Sequence, residues 1–353
     1  MKASLTGEES TKIYKNFEDL RVQREKTLDC VRSGKPLNAE EKEERKIDYV
    51  QARTGIKDRE KAKRVADYDE SVFQALTSDE ASAAARVIRD EEPDFEDVYL
   101  LQVPYAAAST VGRVVDRTLD WKGTGFMISD ELFMTNFHVF RDLNPAQSLV
   151  EFNYELDITH SQKSVTRFAL APDIFFMSSP WPDGLDFAIV AVGKRVGNGT
   201  GKLSDFGFCP IRDCPNKHAL GMLGNIIGHP EGDCKKMSIR KNRIAARDDN
   251  ILQYFTPTEV GSSGSPVFNS DWEPIALHHA GVPTKDLRTP DGKPIPKGTR
   301  EELNEGIRIS AIIRRINSQK NDLRNEEQRA LIEKALTCEF CYPSLLHPKK
   351  SIP

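Results

Sequence analysis

The stretch EVGSSGSPVF, residues 259–268, sets two glycines and three serines ahead of a proline and the start of an apolar run. Glycine and proline this close together mark a turn of unusual backbone geometry. A plain connecting loop accounts for that composition. So does a loop that points one serine oxygen and two backbone N–H groups at the same place. A serine hydroxyl is a poor nucleophile at its free pKa, so the second reading needs three things: a base, a group that orients the base, and donors for a developing oxyanion.

Seven histidines are candidates for the base: His138, His160, His218, His229, His278, His279 and His347. His138 stands out. It ends the run LFMTNFH, at a boundary between sheet and loop, just after GTGF. For the orienting group, WPDGLDFAIVAV places Asp186 at the head of a strand whose other residues are nearly all apolar. A carboxylate entering a core is costly unless it is hydrogen-bonded. Asp183, followed by glycine, fits an ordinary turn better. A strand–elbow–helix nucleophile would need glycine at position 265 and a later histidine partner, in a chain of alternating strands and helices. Position 265 is Ser265, so that alternative fails.

The chain around these residues changes texture twice. Residues 1 to about 95 are dense in Glu, Lys, Arg and Ala with apolar residues at helical intervals, and TSDEASAAARVIRDEEP opens with a capping-type Thr-Ser-Asp and stops at Pro93. This predicts a charged helical region, 1–95. From about 96 to 315 the pattern is strand-like. VGRVVD, GTGFMIS, LFMTNFHVF, SVTRFALAP, DFAIVAV, HALGMLGNIIGHP, ILQYF, SPVF and EPIALHHAG are short runs separated by turn residues, which suggests a barrel or sandwich. After EGIRIS the pattern turns helical again, and 316–353 is read as a C-terminal helix and tail.

The totals narrow the function. Acids (54) slightly outnumber bases (50), a net charge of −4, so there is no general attraction to nucleic acid. No apolar run approaches a membrane span, and MKASLTGEES lacks the apolar core of a secretory signal, so a cytoplasmic protein is expected. Six cysteines are present. Cys338 and Cys341 form a CxxC, half of a zinc site or a redox pair, but no second CxxC or Cys/His set completes a quartet. No metal and no organic cofactor are expected.

TNFHV, LDFAIV and GSSGSPVF together resemble the three signature segments of trypsin-like serine proteases, in their chain order of His, Asp, Ser. The nearest branch in appearance is that of bacterial trypsin-like peptidases and glutamyl endopeptidases. The resemblance implies a mainly β, chymotrypsin-like double β-barrel over roughly 105–315, and a serine endopeptidase. By position it makes Ser263 the nucleophile, His138 the general base and Asp186 its orienting acid, with the N–H groups of Gly261 and Ser263 as the oxyanion hole. Ser262 stands where secreted trypsin-type zymogens carry an aspartate for a newly cut N-terminus, so activation of that kind is not expected.

The resemblance also bears on specificity. Pro257 occupies the position where Asp would select Lys or Arg. Thr258 and His278 match the pocket threonine and histidine of glutamyl endopeptidases, which implies cleavage after Glu or Asp, with the imidazolium as an especially good donor to the substrate carboxylate. His279, Ala280 and Gly281 would follow on the strand that pairs with the substrate backbone. A protein or peptide substrate is implied, and residues 1–95 are expected to regulate access or dock a protein partner. The rivals are a catalytically silent module that binds peptides, and an adaptor acting through its helical region.

Overall fold

A computed structural model describes residues 7–89, 101–141, 143–197, 201–214, 216–239, 242–256, 261–281, 303–323 and 325–338. Among the described residues six α-helices come first: α1 (Gly7–Asp19), α2 (Arg21–Arg32), α3 (Glu43–Thr54), α4 (Arg59–Ala66), α5 (Ser78–Arg89) and α6 (Gln102–Ser109). Seven strands follow: β1 (Val111–Asp116), β2 (Trp121–Met127), β3 (Leu132–Thr135), β4 (Ser148–Phe152), β5 (Thr166–Leu170), β6 (Phe176–Ser179) and β7 (Phe187–Val196). The second set is β8 (Asn225–Gly228), β9 (Lys236–Ser238), β10 (Ile244–Arg247), β11 (Ile251–Phe255), β12 (Pro266–Phe268), β13 (Pro274–Gly281) and β14 (Leu303–Arg308), followed by α7 (Ile309–Gln319) and α8 (Glu326–Thr337).

The first set pairs in the order β3-β2-β1-β4-β5-β7-β6, and an added β3–β7 pairing closes six of the strands into a barrel. Closure removes the free edges that an open sheet would expose. The second set pairs β10-β11-β14-β13-β12-β8-β9 and stays open, a half-barrel. The expected mainly β, chymotrypsin-like two-barrel fold is what the strands build. The run FAIVAV in β7 is apolar at every position because all six residues are buried and β7 pairs with β3, β5 and β6. Four short strands, β4, β6, β9 and β10, are absent from the sequence reading. β9 spans just three residues with little burial, too few for a period-2 pattern to register.

The N-terminal helices pack on this frame. Ile13 of α1 is fully buried in one cluster with Trp181, Phe187 and Leu277, and Phe17 packs against it. The α3, α4 and α5 helices share a second cluster that takes in Ala219 and Met222 of the half-barrel. Glu40, 3% exposed, accepts hydrogen bonds from Arg247 Nη1 (2.6 Å) and from Leu220 N (2.9 Å), tying the segment before α3 to β10. A buried carboxylate held this way is costly to orphan, because losing the partner leaves an uncompensated charge. His138 lies just past the end of β3, and Ser263 lies in the turn before β12.

Candidate active site

The acid comes first. Asp186 is fully buried, one residue ahead of β7, with φ +46°, a backbone conformation uncommon for a residue with a side chain. Its neighbours hold it there. The Asp186 carbonyl accepts from Asn136 Nδ2 (2.9 Å) and Phe137 N (3.2 Å). Its Oδ1 accepts from His138 N (2.9 Å), and its Oδ2 lies 2.6 Å from His138 Nδ1. His138 does not end a strand as the sequence suggests. Strand β3 stops at Thr135, and His138 sits in a short 3₁₀ turn, Phe137–Phe140, whose first N–H groups are the ones spent on Asp186. A 3₁₀ turn leaves its leading N–H groups free for such partners.

A second imidazole reaches the same oxygen. His279 Nδ1 lies 2.7 Å from Asp186 Oδ2, and the His279 side chain is fully buried. The register of β13 against β14 slips by one residue here, with His278 opposite Gly306 and Ala280 opposite Glu305. A bulge breaks strand alternation, so two successive histidines can both be drawn inward. The sequence reading placed His279 on the substrate-pairing strand and did not assign its side chain. The available signal was two histidines inside an otherwise apolar run, since a buried imidazole needs a polar partner.

Burial by itself would raise the Asp186 carboxyl; the charge and hydrogen bonds of His138 and His279 outweigh it and hold the group well below the usual carboxylate range. Burial opposes the charge on His279, but the hydrogen bond and charge of Asp186 prevail and raise it above an ordinary histidine.

The serine turn is strapped to both barrels. Thr124 N donates to Ser263 O (2.8 Å) and Thr124 Oγ1 to Gly261 O (2.8 Å), while Gly264 N donates to His278 O (2.9 Å) and His278 N to Ser265 O (2.8 Å). Gly261 (φ +100°) and Gly264 (φ +86°) both hold left-handed backbone. A Cβ on Gly264 would also lie 2.0 Å from Thr124 O. Ser262 and Ser265 are buried, whereas Ser263 is part-exposed. Gly123 sits between the base and the turn: a Cβ there would meet Val139 Cγ2 at 2.7 Å and Ser263 O at 3.1 Å. Among the described residues, no hydrogen bond joins Ser263 Oγ to His138, and the N–H groups of Gly261 and Ser263 donate to no partner. Catalytic hydrogen bonds commonly tighten only when substrate is bound.

His278 is 3% exposed, with Nδ1 2.8 Å from the Tyr254 hydroxyl. Burial and then the neighbouring His279 and His138 push it down to about 3, so it is a neutral imidazole at neutral pH. Thr258 and Pro257 lie outside the described residues, as does Cys341. Cys338 contacts the carbonyls of Ile128 and Ala335. His138, Asp186 and His279 are the one His/Cys/Asp/Glu cluster with metal-ligand spacing among the described residues. Both Nδ1 atoms are already engaged with Asp186 Oδ2, so a metal there would displace both hydrogen bonds. Beyond Leu277, β13 is paired along its length with β14, and the β12 ladder ends at Pro266, which leaves the other edge of Ala280 and Gly281 without a strand partner among the described residues.

Residues 123–277 match the family model described as a trypsin-like peptidase domain. The chain is 35% identical over 254 residues to uncharacterized protein y4fB of Sinorhizobium fredii, covering 63% of this chain and 38% of that protein. It thus spans well under half of that relative's length. It is 23% identical over 217 residues to exfoliative toxin A of Staphylococcus aureus, covering 61% of this chain and 71% of the toxin. The crystal structure of Rv3671c from M. tuberculosis, in an inactive mutant form, is 17% identical, covers 64% of this chain and 94% of its own, and aligns with a TM-score of 0.40. None of these names places the chain in the glutamyl endopeptidase branch. Among the described residues no helix is long and apolar enough to cross a membrane.

Proposed function

We propose that the chain is a serine endopeptidase that cleaves peptide bonds through an acyl-enzyme. The observation that carries this reading is the buried Asp186 carboxylate, bonded through one oxygen to the His138 backbone and through the other to its ring, across β2 from the part-exposed Ser263. Ser263 Oγ attacks the scissile carbonyl and His138 Nε2 takes its proton. Asp186 holds the Nδ1–H tautomer and stabilises the imidazolium that forms. The free N–H groups of Gly261 and Ser263 receive the developing oxyanion. The protonated His138 then donates to the leaving amine, and water, activated by the same imidazole, releases the acid.

The substrate lies along the open edge of β13 at Ala280 and Gly281, and His278 with Thr258 reads an acidic side chain before the scissile bond. Buried Tyr254 keeps its proton, because burial raises its hydroxyl well above the ordinary value. Donating that proton to His278 Nδ1 leaves an Nε2–H to face the substrate carboxylate as a neutral donor. The N-terminal helices regulate or recruit, acting in the cytoplasm on a protein substrate. Since Ile13 is packed in the core of the barrels and the α3–α5 cluster takes in Ala219 and Met222, that role is tested with substitutions on exposed helix faces and not by deletion.

The deciding experiment is labelling with a serine-directed phosphonate, together with cleavage of a peptide library. Ser263→Ala is expected to lose both, while Ser262→Ala and Ser265→Ala retain them. A labelled, active Ser263→Ala protein would overturn the assignment and favour a peptide-binding module or an adaptor.

A further inference from the structure

Far along β13 from the two histidines, at its Pro274 end, lies a cavity of about 300 Å³. Its wall comes from Arg45 of α3, residues 212–214 and 216–218, the start of β13, and the start of α7 with Arg308 just ahead of it and Arg314 one turn on. Arg45, Arg212, Lys217, Arg308 and Arg314 supply five cationic side chains to one small space. The chain as a whole carries a net charge of −4. Asp213, an exposed residue, is the carboxylate on the lining; nearby Glu40 is engaged by Arg247 and Arg45, and Glu273 by Arg53 and Asn269.

Two buried side chains here are short of partners, Lys217 and His218. Lys217 is 5% exposed, and its Nζ reaches the Pro274 carbonyl at 3.5 Å, the limit of a hydrogen bond. His218 is 8% exposed, and its Nε2 has no hydrogen-bond partner; Arg308 Nε likewise has none, although its Nη1 donates to the Asp248 carbonyl (2.6 Å), and Arg45 Nε lies 3.6 Å from Glu40 Oε2. The first turn of α7, Ile309 and Ser310, lines the same cavity, and Arg308 gives this eleven-residue helix no side-chain cap. The leading N–H groups of a helix are intrinsically unpaired and sit at its positive end. Burial and the mutual repulsion of Arg45, Lys217, Arg247 and Arg308 push His218 well down, and burial lowers Lys217 and Arg308 as well. Gathering cations with few opposing charges is costly, and an anion in the cavity would offset that cost.

We infer that this cavity is a binding site for a phosphoryl oxyanion, either free phosphate or a small phosphomonoester. Planar guanidinium forks, a buried ammonium and an uncapped helix N-terminus are the donor set that matches tetrahedral oxyanions. The volume lies at the low end of the roughly 300–1,000 Å³ range of small-molecule sites, which excludes a polynucleotide from the pocket itself. Because α3 supplies one wall and the half-barrel the others, the ligand would bridge the N-terminal helices to the strand that carries His278 and His279.

The test uses the full chain, with isothermal calorimetry and thermal denaturation at constant ionic strength. The probes are inorganic phosphate, adenosine monophosphate as a phosphomonoester, and acetate as an anion control. Saturable one-site binding of phosphate or the monoester is expected, with Tm rising as ligand is added. Tighter binding of the monoester identifies an organic phosphate as the ligand; tighter binding of phosphate identifies the free ion. Arg212→Gln and Arg314→Gln remove rim residues whose hydrogen bonds go to the Cys338 and Asp249 carbonyls, so the fold should survive. Each is expected to weaken binding roughly tenfold or more, the loss of one charge-assisted contact. Arg32→Gln, an exposed change on α2, should leave it unaltered. The inference is overturned if neither phosphate nor the monoester binds saturably up to tens of millimolar. It is equally overturned if acetate matches them, or if the Arg212→Gln/Arg314→Gln double variant, folded by circular dichroism, binds as wild type does.

Discussion

Asp186 Oδ2 is shared by two imidazoles, with His138 Nδ1 at 2.6 Å and His279 Nδ1 at 2.7 Å. His279 thereby becomes a positioning residue for the proposed base: it fixes the carboxylate that fixes His138. His279→Ala should lower kcat roughly tenfold or more, by removing one hydrogen bond to a charged group, with less effect on KM. His279→Asn, which keeps an N–H donor, should recover part of that loss. A purely structural role would lower Tm in both variants without shifting the acid limb of the pH–rate profile; the positioning role predicts that the limb shifts.

Replacing Asp186 itself should be far more severe. Asp186→Asn is expected to cost on the order of 10⁴ in turnover, the value known for the well-studied triad, through the wrong His138 tautomer. The measurement is kcat on the best peptide from the library. A loss below about tenfold would mean that Asp186 does not orient the base.

Acidic selectivity should be independent of pH over the neutral range. His278 is held down to about 3, so the donor to the substrate carboxylate is a neutral N–H at both pH 8 and pH 5.5. His278→Ala should flatten the preference for Glu or Asp over Gln by roughly 10- to 150-fold while leaving cleavage of a neutral substrate nearly intact. Tyr254→Phe should weaken the same preference by freeing the tautomer. Cut-site profiling of a denatured protein mixture by mass spectrometry reads both. A preference that appears only below pH 6 would show an imidazolium instead.

Three buried histidines set the stability on the acid side. His278 and His229 are held down to about 3, and His218 is also well lowered, each with burial as the largest cause. The unfolded chain binds protons at these positions below about pH 6.5, where the folded chain does not, so stability falls as pH drops through that value toward 3. His279 acts oppositely: its raised value adds stability that is present below about pH 6.5 and lost as pH climbs through its folded pKa. Asp186 follows the depressed-carboxyl pattern, its contribution present above about pH 3.9 and fading below it. Calorimetry in buffers free of phosphate should therefore show Tm declining from pH 7.5 to pH 5. His229→Gln, if it folds, should flatten that decline.

The first helix should be part of the cooperative unit. Ile13→Ala is expected to destabilise the protein by about 2–5 kcal/mol, because the side chain is fully buried among barrel residues and its removal leaves a cavity. Urea unfolding followed by fluorescence measures it. A midpoint equal to wild type would mean that α1 is not packed in solution as it is in the structure.

The sequence by itself determined the class of fold and the three positions most worth testing. Short apolar runs such as VGRVVD and ILQYF, bounded by turn residues, identify strands buried on both faces, and GSSGSP identifies a strained turn because few residues other than glycine accept left-handed backbone. These are local properties, legible wherever neighbouring residues carry the information. Tertiary structure alone decided that His279 shares Asp186, since a one-residue slip between β13 and β14 turns its ring inward. It alone decided that His278 is neutral, since the charge on a histidine depends on burial and on groups distant in the chain. The same holds for the basic cavity: Arg45, Lys217 and Arg308 are scattered among the other charged residues of a slightly acidic chain, and only folding brings them to one wall.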